Sequence, residues 1–311
     1  MGRNIDLQDK RITSAQWSVW IITAMLGPVV FYANGDWYGS ILAGAVFSFL
    51  GWLVCRVGRH WSGPVYCVVQ ILWLCTVLSQ LLLGSAQCWP TAKNPTPIIP
   101  ITILILACIA GLKGAECAAN GIGVLFWVAA GLLATVILSG IGDMEPSFIA
   151  PERQQPNYDL MRILLLPASA ALLKREKSPI LPFAATALMA VGVSLWIAGL
   201  LSAGIAENLN WPFYEAAKSV RLLDIARRFE ALVSVGVTVG YYALFSLLLC
   251  EVGALGSKIG IRKGAVVSTT VIAGLFALLG FRLNAAILVV LGVVFWVLMP
   301  ILGVMKTRKN E

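Results

Sequence analysis

The segment WSVWIITAMLGPVVFYA, residues 17–33, is an apolar run with Gly27 and Pro28 near its middle. An apolar segment of about 17–25 residues is long enough to cross the hydrocarbon core of a bilayer as a helix. Proline removes a backbone donor and glycine does not resist unwinding, so the pair predicts a break inside the helix. The segment therefore predicts a membrane span with an interruption.

The composition of the whole chain agrees with a membrane location. The 311 residues are 59% hydrophobic and 12% charged, whereas soluble domains are about 45–50% apolar and about 25% charged. The net charge is +8, but the basic residues form short clusters between apolar runs, as they do in cytoplasmic loops. We interpret the positive charge as a topology signal and predict no binding of nucleic acid.

Further apolar runs predict about ten spans, and hence an all-α integral membrane protein with one transmembrane domain over residues 1–311. The predicted spans are 15–33, 37–56, 64–87, 97–113, 117–141, 155–173, 179–203, 224–251, 264–281 and 283–305. An even number of spans places both termini on one side. That side holds 15 lysines and arginines and the other side 8, which predicts cytoplasmic termini in a multi-pass membrane protein.

A second interruption is predicted in the sixth span. The stretch QQPNYDLMRILLLPASAALL has Pro156, Asn157 and Asp159 ahead of Pro167, so its first half is polar and breakable. Breaks in spans one and six of ten favour an inverted five-plus-five repeat, at approximately 15–141 and 155–305, with the binding site at the breaks. The alternative is that both prolines only kink their helices.

The two predicted breaks define a candidate site for a small zwitterion such as an amino acid. A half-helix that begins at an unwound segment offers N–H donors for a carboxylate around Gly27. Carbonyls freed by Pro28, together with Asn157 and Asp159, are acceptors for an ammonium group. We therefore expect Gly27→Leu to abolish the ligand response and to leave membrane abundance near wild type.

Gln70 is the polar residue of the third span that we place near this site, because the third span packs near the first in such a fold. The alternative is that Gln70 makes an interhelical hydrogen bond, as polar residues of membrane helices often do. Asp159 also has a local alternative, since Arg162 lies three residues later on the same helical face and is a possible ion-pair partner.

The stretch from Trp211 to Phe229 is unusually polar for this chain. Its apolar residues recur at helical spacing, while Lys218, Arg221 and Arg228 are free to face water or lipid headgroups. The pattern predicts an interfacial helix that lies outside the bundle on the extracytoplasmic side. Two roles remain open: bracing of the following span, or gating of the site and docking of a partner subunit.

The sequence offers no candidate catalytic residues and no candidate metal ligands. The seven cysteines show no CxxC or Cys/His ligand spacing, and His60 is the single histidine of the chain. No nucleophile or acid–base constellation is recognisable. We therefore predict no metal site, no cofactor and no enzymatic activity.

The polar stretch also carries a family resemblance. WPFYEAAKSVRLLDIARRFEALVSVGVTVGYY resembles the segment that enters the eighth helix of the endospore germination permeases, the B subunits of spore nutrient germinant receptors. The matching positions are Pro212, Tyr214, Glu215, Arg228, Glu230, Ala231 and Leu232. The segments ITSAQ, DWYGSILAG, TPIIPITILILACIAGLKGAE and LMRILLLPASAALLKREK agree in order with the same family.

The resemblance implies membership of the amino acid–polyamine–organocation superfamily, which has the five-plus-five fold. It also implies a location in a bacterial cell membrane, the spore inner membrane. The implied partners are a germinant receptor A subunit and a C-subunit lipoprotein, and the implied ligand is a small germinant, expected to be an amino acid. The family motif assigns structural or gating roles to Pro212, Glu215, Arg228 and Glu230.

Two functions are compatible with these expectations. The first is a nutrient sensor that binds a germinant and signals to its partner subunits. The second is a secondary amino-acid transporter driven by H⁺ or Na⁺. Proton-coupled carriers commonly keep a carboxylate inside the membrane, and the apparent scarcity of such carboxylates in this sequence favours the sensor.

Overall fold

A computed structural model describes residues 12–57, 63–86, 98–149, 181–220 and 229–295. Across these ranges the chain forms helices and no strand, which confirms the predicted all-α class. The α-helices are α1 Ser14–Tyr32, α2 Trp37–Val57, α3 Pro64–Ser85, α4 Ile98–Lys113, α5 Ala115–Gly140, α6 Leu181–Leu201, α7 Ala203–Glu207, α8 Pro212–Ser219, α9 Phe229–Lys258, α10 Arg262–Leu278 and α11 Ala285–Val293. Two short 3-10 helices follow α5.

Five helical segments are long and apolar enough to cross a membrane. They are Ser14–Tyr32, Pro64–Ser85, Ala115–Asp143, Leu181–Leu201 and Ala231–Lys258. The protein is therefore compatible with a multi-pass membrane location. Hydropathy located these helices well because a span must satisfy its backbone hydrogen bonds internally, which leaves helix as the solution for a long apolar run.

Helix α9 is the centre of the fold. It packs against α1, α3, α4, α5 and α10, and its apolar side chains are buried along most of its length. The sequence predicted the end of this helix at residue 251, but the helix continues to Lys258. It ends where Gly260 adopts a left-handed conformation, with φ of 79°, and the Ile261 N–H donates to the Gly256 carbonyl at 2.9 Å. This is a glycine-dependent C-terminal cap.

Helix α1 passes through Gly27 and Pro28 without interruption, so the predicted break in the first span is wrong. Its start is fixed by a capping box, in which the Thr13 hydroxyl accepts from the Gln16 N–H and the Gln16 side chain accepts from the Thr13 N–H. Pro28 removes one intrahelical hydrogen bond. The helix nevertheless stays continuous through Pro28, and it packs against α9 along its length.

Helices α2 and α6 form a second packed pair. The Ser40 and Ser194 hydroxyls lie 2.8 Å apart across this contact, and both residues are fully buried. Asp36 begins α2, since its carboxylate accepts from the Gly39 N–H at 2.8 Å. These polar groups therefore have structural partners, and α6 in turn contacts α1.

Candidate functional site

Gly27 lies at the closest approach of α1 and α9. A Cβ built on Gly27 would be 2.8 Å from the carbonyl oxygen of Val237, and one built on Gly240 would overlap the backbone of Gly27. The two helices therefore touch backbone to backbone, which only glycine permits at both positions. Nearby, the Trp20 indole N–H donates to the Ala243 carbonyl at 3.0 Å. The pair of glycines is a packing contact in this structure.

This contact determines whether a ligand can reach the predicted site residues on α1. Gly27 and Pro28 are both buried, and α9 covers the backbone at Gly27. A ligand carboxylate would reach that backbone only if α1 and α9 moved apart. The sequence singled out Gly27 and Pro28 on α1, but it did not show that α9 occupies the space beside Gly27.

Gln70 is fully buried on α3 and contacts a different part of the bundle. Its side-chain N–H donates to the carbonyl of Phe295, just beyond α11, at 3.0 Å. The Trp73 ring stacks on the Phe295 ring with their centroids 5.1 Å apart. Helix α3 meets α1 at its other end, where the Tyr32 hydroxyl lies against Gly84. The described contacts join Gln70 to the end of α11 and not to Gly27 and Pro28.

Another polar residue of α3 makes the same kind of contact. The Gln80 side chain donates to the Phe281 carbonyl at 2.7 Å and accepts from the Leu283 N–H at 3.0 Å. Both partners lie in the connection between α10 and α11. Gln70 and Gln80 therefore both make hydrogen bonds to neighbouring segments of the bundle. This is the alternative interpretation of Gln70, in which the polar residue joins helices.

Four predicted site residues lie wholly or partly outside the described part of the structure. Asn157, Asp159 and Arg228 lie outside the described residues. Glu230 belongs to the first turn of α9, but its side chain is outside the described part. The second predicted break, in residues 155–173, is also outside it. The candidate site between the two breaks is therefore represented here by its α1 half.

Helix α8 confirms the first part of the helix predicted over Pro212–Arg228, but it ends at Ser219, where Val220 is extended, and its position differs from the prediction. Phe213 and Tyr214 are each only 1% exposed. The Phe213 ring packs on Trp196 with centroids 4.9 Å apart, and the Tyr214 hydroxyl lies 3.2 Å from that of Ser234. The helix does not lie outside the bundle, because its apolar face is packed between α6 and α9.

The outer face of α8 is polar, as its amphipathic pattern requires. The Lys218 ammonium donates to the Glu215 carboxylate at 2.8 Å, and both side chains are over one third exposed. Pro212 occupies the first turn, where a missing N–H costs nothing. Of the two roles left open, the described contacts of α8 support bracing of α9.

Glu251 is a residue that sequence reasoning missed. It lies in the long apolar stretch Ala231–Lys258 of α9 and is 0% exposed. It is the single acidic residue in that stretch. The signal is present in the sequence, but the predicted span ends at residue 251, so the prediction does not show that the apolar helix continues beyond this carboxylate. The helix continues for seven residues beyond it, to Lys258.

Comparison with known proteins adds no family to these observations. No family model matches the chain, and no curated protein matches it significantly.

Proposed function

We propose that this protein is a membrane sensor for a small nutrient, the B subunit of a spore germinant receptor, with an amino acid as ligand. The resemblance of ordered sequence segments supports this proposal, as do helices at the positions that the apolar runs predict. The proposed fold is the five-plus-five repeat of ten spans in the spore inner membrane, with residues 155–173 as the sixth span and cytoplasmic termini.

The observation that carries the proposal is the family resemblance of the ordered sequence segments, and the glycine contact between α1 and α9 is the place where a ligand would act on the fold. A ligand that binds the backbone around Gly27 and Pro28 must separate these helices, and α9 contacts most of the bundle. A ligand shifts such an equilibrium by its differential affinity for the two states. Displacement of α9 is therefore a direct route from occupancy to the partner subunits, with Asn157 and Asp159 as further ligand contacts.

The proposed orientation has a direct test. In a background without native cysteines, a cysteine at position 215 is expected to react with an impermeant thiol reagent added outside, whereas one at position 176 is expected to react only after permeabilisation. Position 215 suits the test because the Glu215 side chain is 37% exposed. Reaction of both positions from one side would contradict the ten-span arrangement.

The proposed partners also have a test. The tagged protein, isolated from spore membranes of its host, is expected to carry a germinant receptor A subunit and a C-subunit lipoprotein. Substitution of the exposed Glu215 then separates docking from bracing, since a bracing helix depends on its buried face. A protein isolated without either partner, under conditions that preserve other membrane complexes, would contradict the assignment as a receptor subunit.

Glu251 favours a second candidate function, a secondary amino-acid transporter. The scarcity of intramembrane carboxylates was the sequence-based argument for a sensor, and a buried glutamate in α9 weakens it. Purified protein in liposomes separates the two functions. A transporter is expected to accumulate a labelled amino acid when a proton or sodium gradient is imposed, whereas a sensor is expected to bind it without accumulation.

A further inference from the structure

We propose that the turns α4–α5 and α9–α10 form a binding site for an anionic phospholipid. The phosphate group of the lipid contacts basic side chains at these turns, and an acyl chain lies in the groove between α4 and α10. This site is distinct from the proposed ligand site around Gly27 and Pro28. It does not depend on the sensor function, because the lipid binds here whether or not an amino acid is the nutrient.

Four helix ends meet at this level of the bundle. A Cβ on Gly111 of α4 would lie 3.1 Å from the Leu249 Cβ of α9 and 3.3 Å from the Val266 side chain of α10. Just beyond these contacts, a Cβ on Gly114 would lie 2.8 Å from the Arg262 guanidinium. Gly114 has a φ of 109°, which favours glycine. The turns α4–α5 and α9–α10 are therefore direct neighbours.

Basic side chains predominate at the two turns. They are Lys113 at the end of α4, Lys258 at the end of α9, and Arg262 and Lys263 in the first turn of α10. The three lysines are exposed, and the arginine is partly exposed. Over residues 110–118 and 256–266, Glu116 is the single acidic residue. The two turns together therefore present a positively charged patch.

Three of these cations have donors to offer to an anion. Within the described part of the chain, the side chains of Lys113, Arg262 and Lys263 make no hydrogen bond or ion pair. A guanidinium has the planar fork geometry that suits phosphate oxygens, and an ammonium group binds phosphate as a point charge. The patch therefore has the chemistry of a phosphate site.

The patch lies where apolar spans end. The membrane-length stretch Ala115–Asp143 begins here, and the stretch Ala231–Lys258 ends here. Phospholipid headgroups occupy this level, just outside the hydrocarbon core. In the proposed orientation this is the cytoplasmic side, where the leaflet is anionic and basic pockets between helices bind lipid headgroups.

A groove leads from the patch along α4 and α10. A Cβ on Gly274 of α10 would lie 3.9 Å from the Leu104 side chain of α4, and no other described atom lies within 4 Å. Since Val266 approaches Gly111, the two helices run antiparallel. Lys263 precedes Gly274 by eleven residues, which places it within about 20° of Gly274 around the helix. Lys263 therefore lies on the face of α10 that is directed at α4.

The walls of the groove are apolar and exposed. Val267 lies one turn after Lys263 on α10 and is 45% exposed, and Ile109 on α4 is 48% exposed. Lys113 follows Ile109 by four residues on the same side of α4. From Lys263 to Gly274 the groove is about 16 Å long, about one leaflet of a hydrocarbon core of about 30 Å. It has room for an acyl chain, with the cations at its headgroup end.

The combination of patch and groove fits a lipid better than the other occupants. A second copy of this chain, docked symmetrically on this face, would bring the same cations against each other, and such like-charge contacts are costly. A free phosphate ion would fill the patch and leave the apolar groove uncovered. An anionic phospholipid matches both parts.

Native mass spectrometry of the purified, delipidated protein tests the proposal. The protein is titrated with phosphatidylglycerol and with phosphatidylcholine of the same acyl chains, so that the two lipids differ in headgroup charge. We expect phosphatidylglycerol to bind at least about fivefold more tightly, because each basic residue near an anionic headgroup contributes about this factor. Inorganic phosphate at the same concentration is expected to leave the bound lipid in place.

Lys263→Gln is the sharpest variant, because Lys263 is exposed. It is expected to weaken phosphatidylglycerol binding about fivefold and to leave phosphatidylcholine binding unchanged. Arg262→Gln is expected to have at least this effect, and its melting temperature is measured as well because the Arg262 backbone packs close to Gly256 of α9. The matched control is Arg282→Gln, which removes an exposed cation beyond the other end of α10 and should bind both lipids as the wild type does.

Two results would overturn the proposal. One is equal affinity for the two lipids, or wild-type affinity of Lys263→Gln for phosphatidylglycerol. The other is displacement of the lipid by an equal concentration of inorganic phosphate, which would show that the patch takes a free anion and that the groove holds no chain. Since no amino acid is present in these experiments, failure of the proposed nutrient response would leave both results intact.

Discussion

Gly240→Ala is expected to reduce the amount of folded protein in the membrane more than any other single methyl addition to α9. The new Cβ would overlap the backbone of Gly27, and a backbone cannot rotate away as a side chain can. Overpacking a tight contact typically costs about 1–3 kcal/mol, and more where the backbone must shift. Helix α1 would have to move off α9 along its length.

The matched control is Gly131→Ala on α5, where nothing lies within 4 Å of the added methyl group. That change is expected to be neutral or to stabilise the helix by up to about 1 kcal/mol. Thermal unfolding of the two purified variants in the same detergent or lipid makes the comparison. Equal melting temperatures for Gly240→Ala and wild type would show that the glycine contact is not tight.

The same geometry changes the expectation for Gly27→Leu. The sequence alone predicted a loss of ligand response at normal abundance. With the Val237 carbonyl 2.8 Å from the position of a Cβ at residue 27, a leucine is expected to impair folding as well. Loss of response in this variant is therefore informative only if the variant reaches the membrane at the wild-type level.

Phe213→Ala is expected to have the second large effect. Phe213 is 1% exposed and packs on Trp196 between α6 and α9. Truncation of a buried phenylalanine to alanine typically costs about 3–5 kcal/mol, because the cavity is only partly filled by its neighbours. If α8 braces α9, the variant should melt at a clearly lower temperature. A protease that cleaves after aromatic residues should also cut at Tyr214 faster in the variant than in the wild type.

Lys218→Ala is the control for Phe213→Ala. Lys218 lies on the exposed face of the same helix and makes an ion pair with Glu215. Exposed pairs of this kind contribute about 0.2–1 kcal/mol. If Lys218→Ala destabilised the protein as much as Phe213→Ala, the polar face would be the structural one and the packing of α8 described here would be incorrect.

The positions of the helices could be predicted from the sequence because the membrane removes most alternatives. The predicted span 15–33 corresponds to Ser14–Tyr32, and 179–203 corresponds to Leu181–Leu201. A long apolar run in lipid has to form a helix, so its length and flanks locate it well. The amphipathic helix that begins at Pro212 was predictable from the spacing of its apolar residues, but its end at Ser219 was not, since the same spacing continues toward Arg228.

The candidate site was less predictable because its features depend on neighbouring helices. The pair Gly27 and Pro28 has the same sequence whether it breaks a helix or packs against one, and the decision comes from Gly240, more than two hundred residues later. Glu251 was missed because a charge in a hydropathy profile looks like the end of a span. In the structure α9 continues beyond Glu251, and the residue is buried within the helix bundle.

The most direct test of the central claim is a thermal-shift measurement of the purified wild-type protein against single amino acids, alone and with its A and C subunits. A ligand that binds the folded state adds RT ln(1 + [L]/Kd) to its stability, which is about 2.7 kcal/mol at a hundredfold excess over Kd. The proposal predicts that one amino acid, or a few of similar side chain, raises the melting temperature in a saturable way. If no amino acid does so in either preparation, the sensor assignment is contradicted.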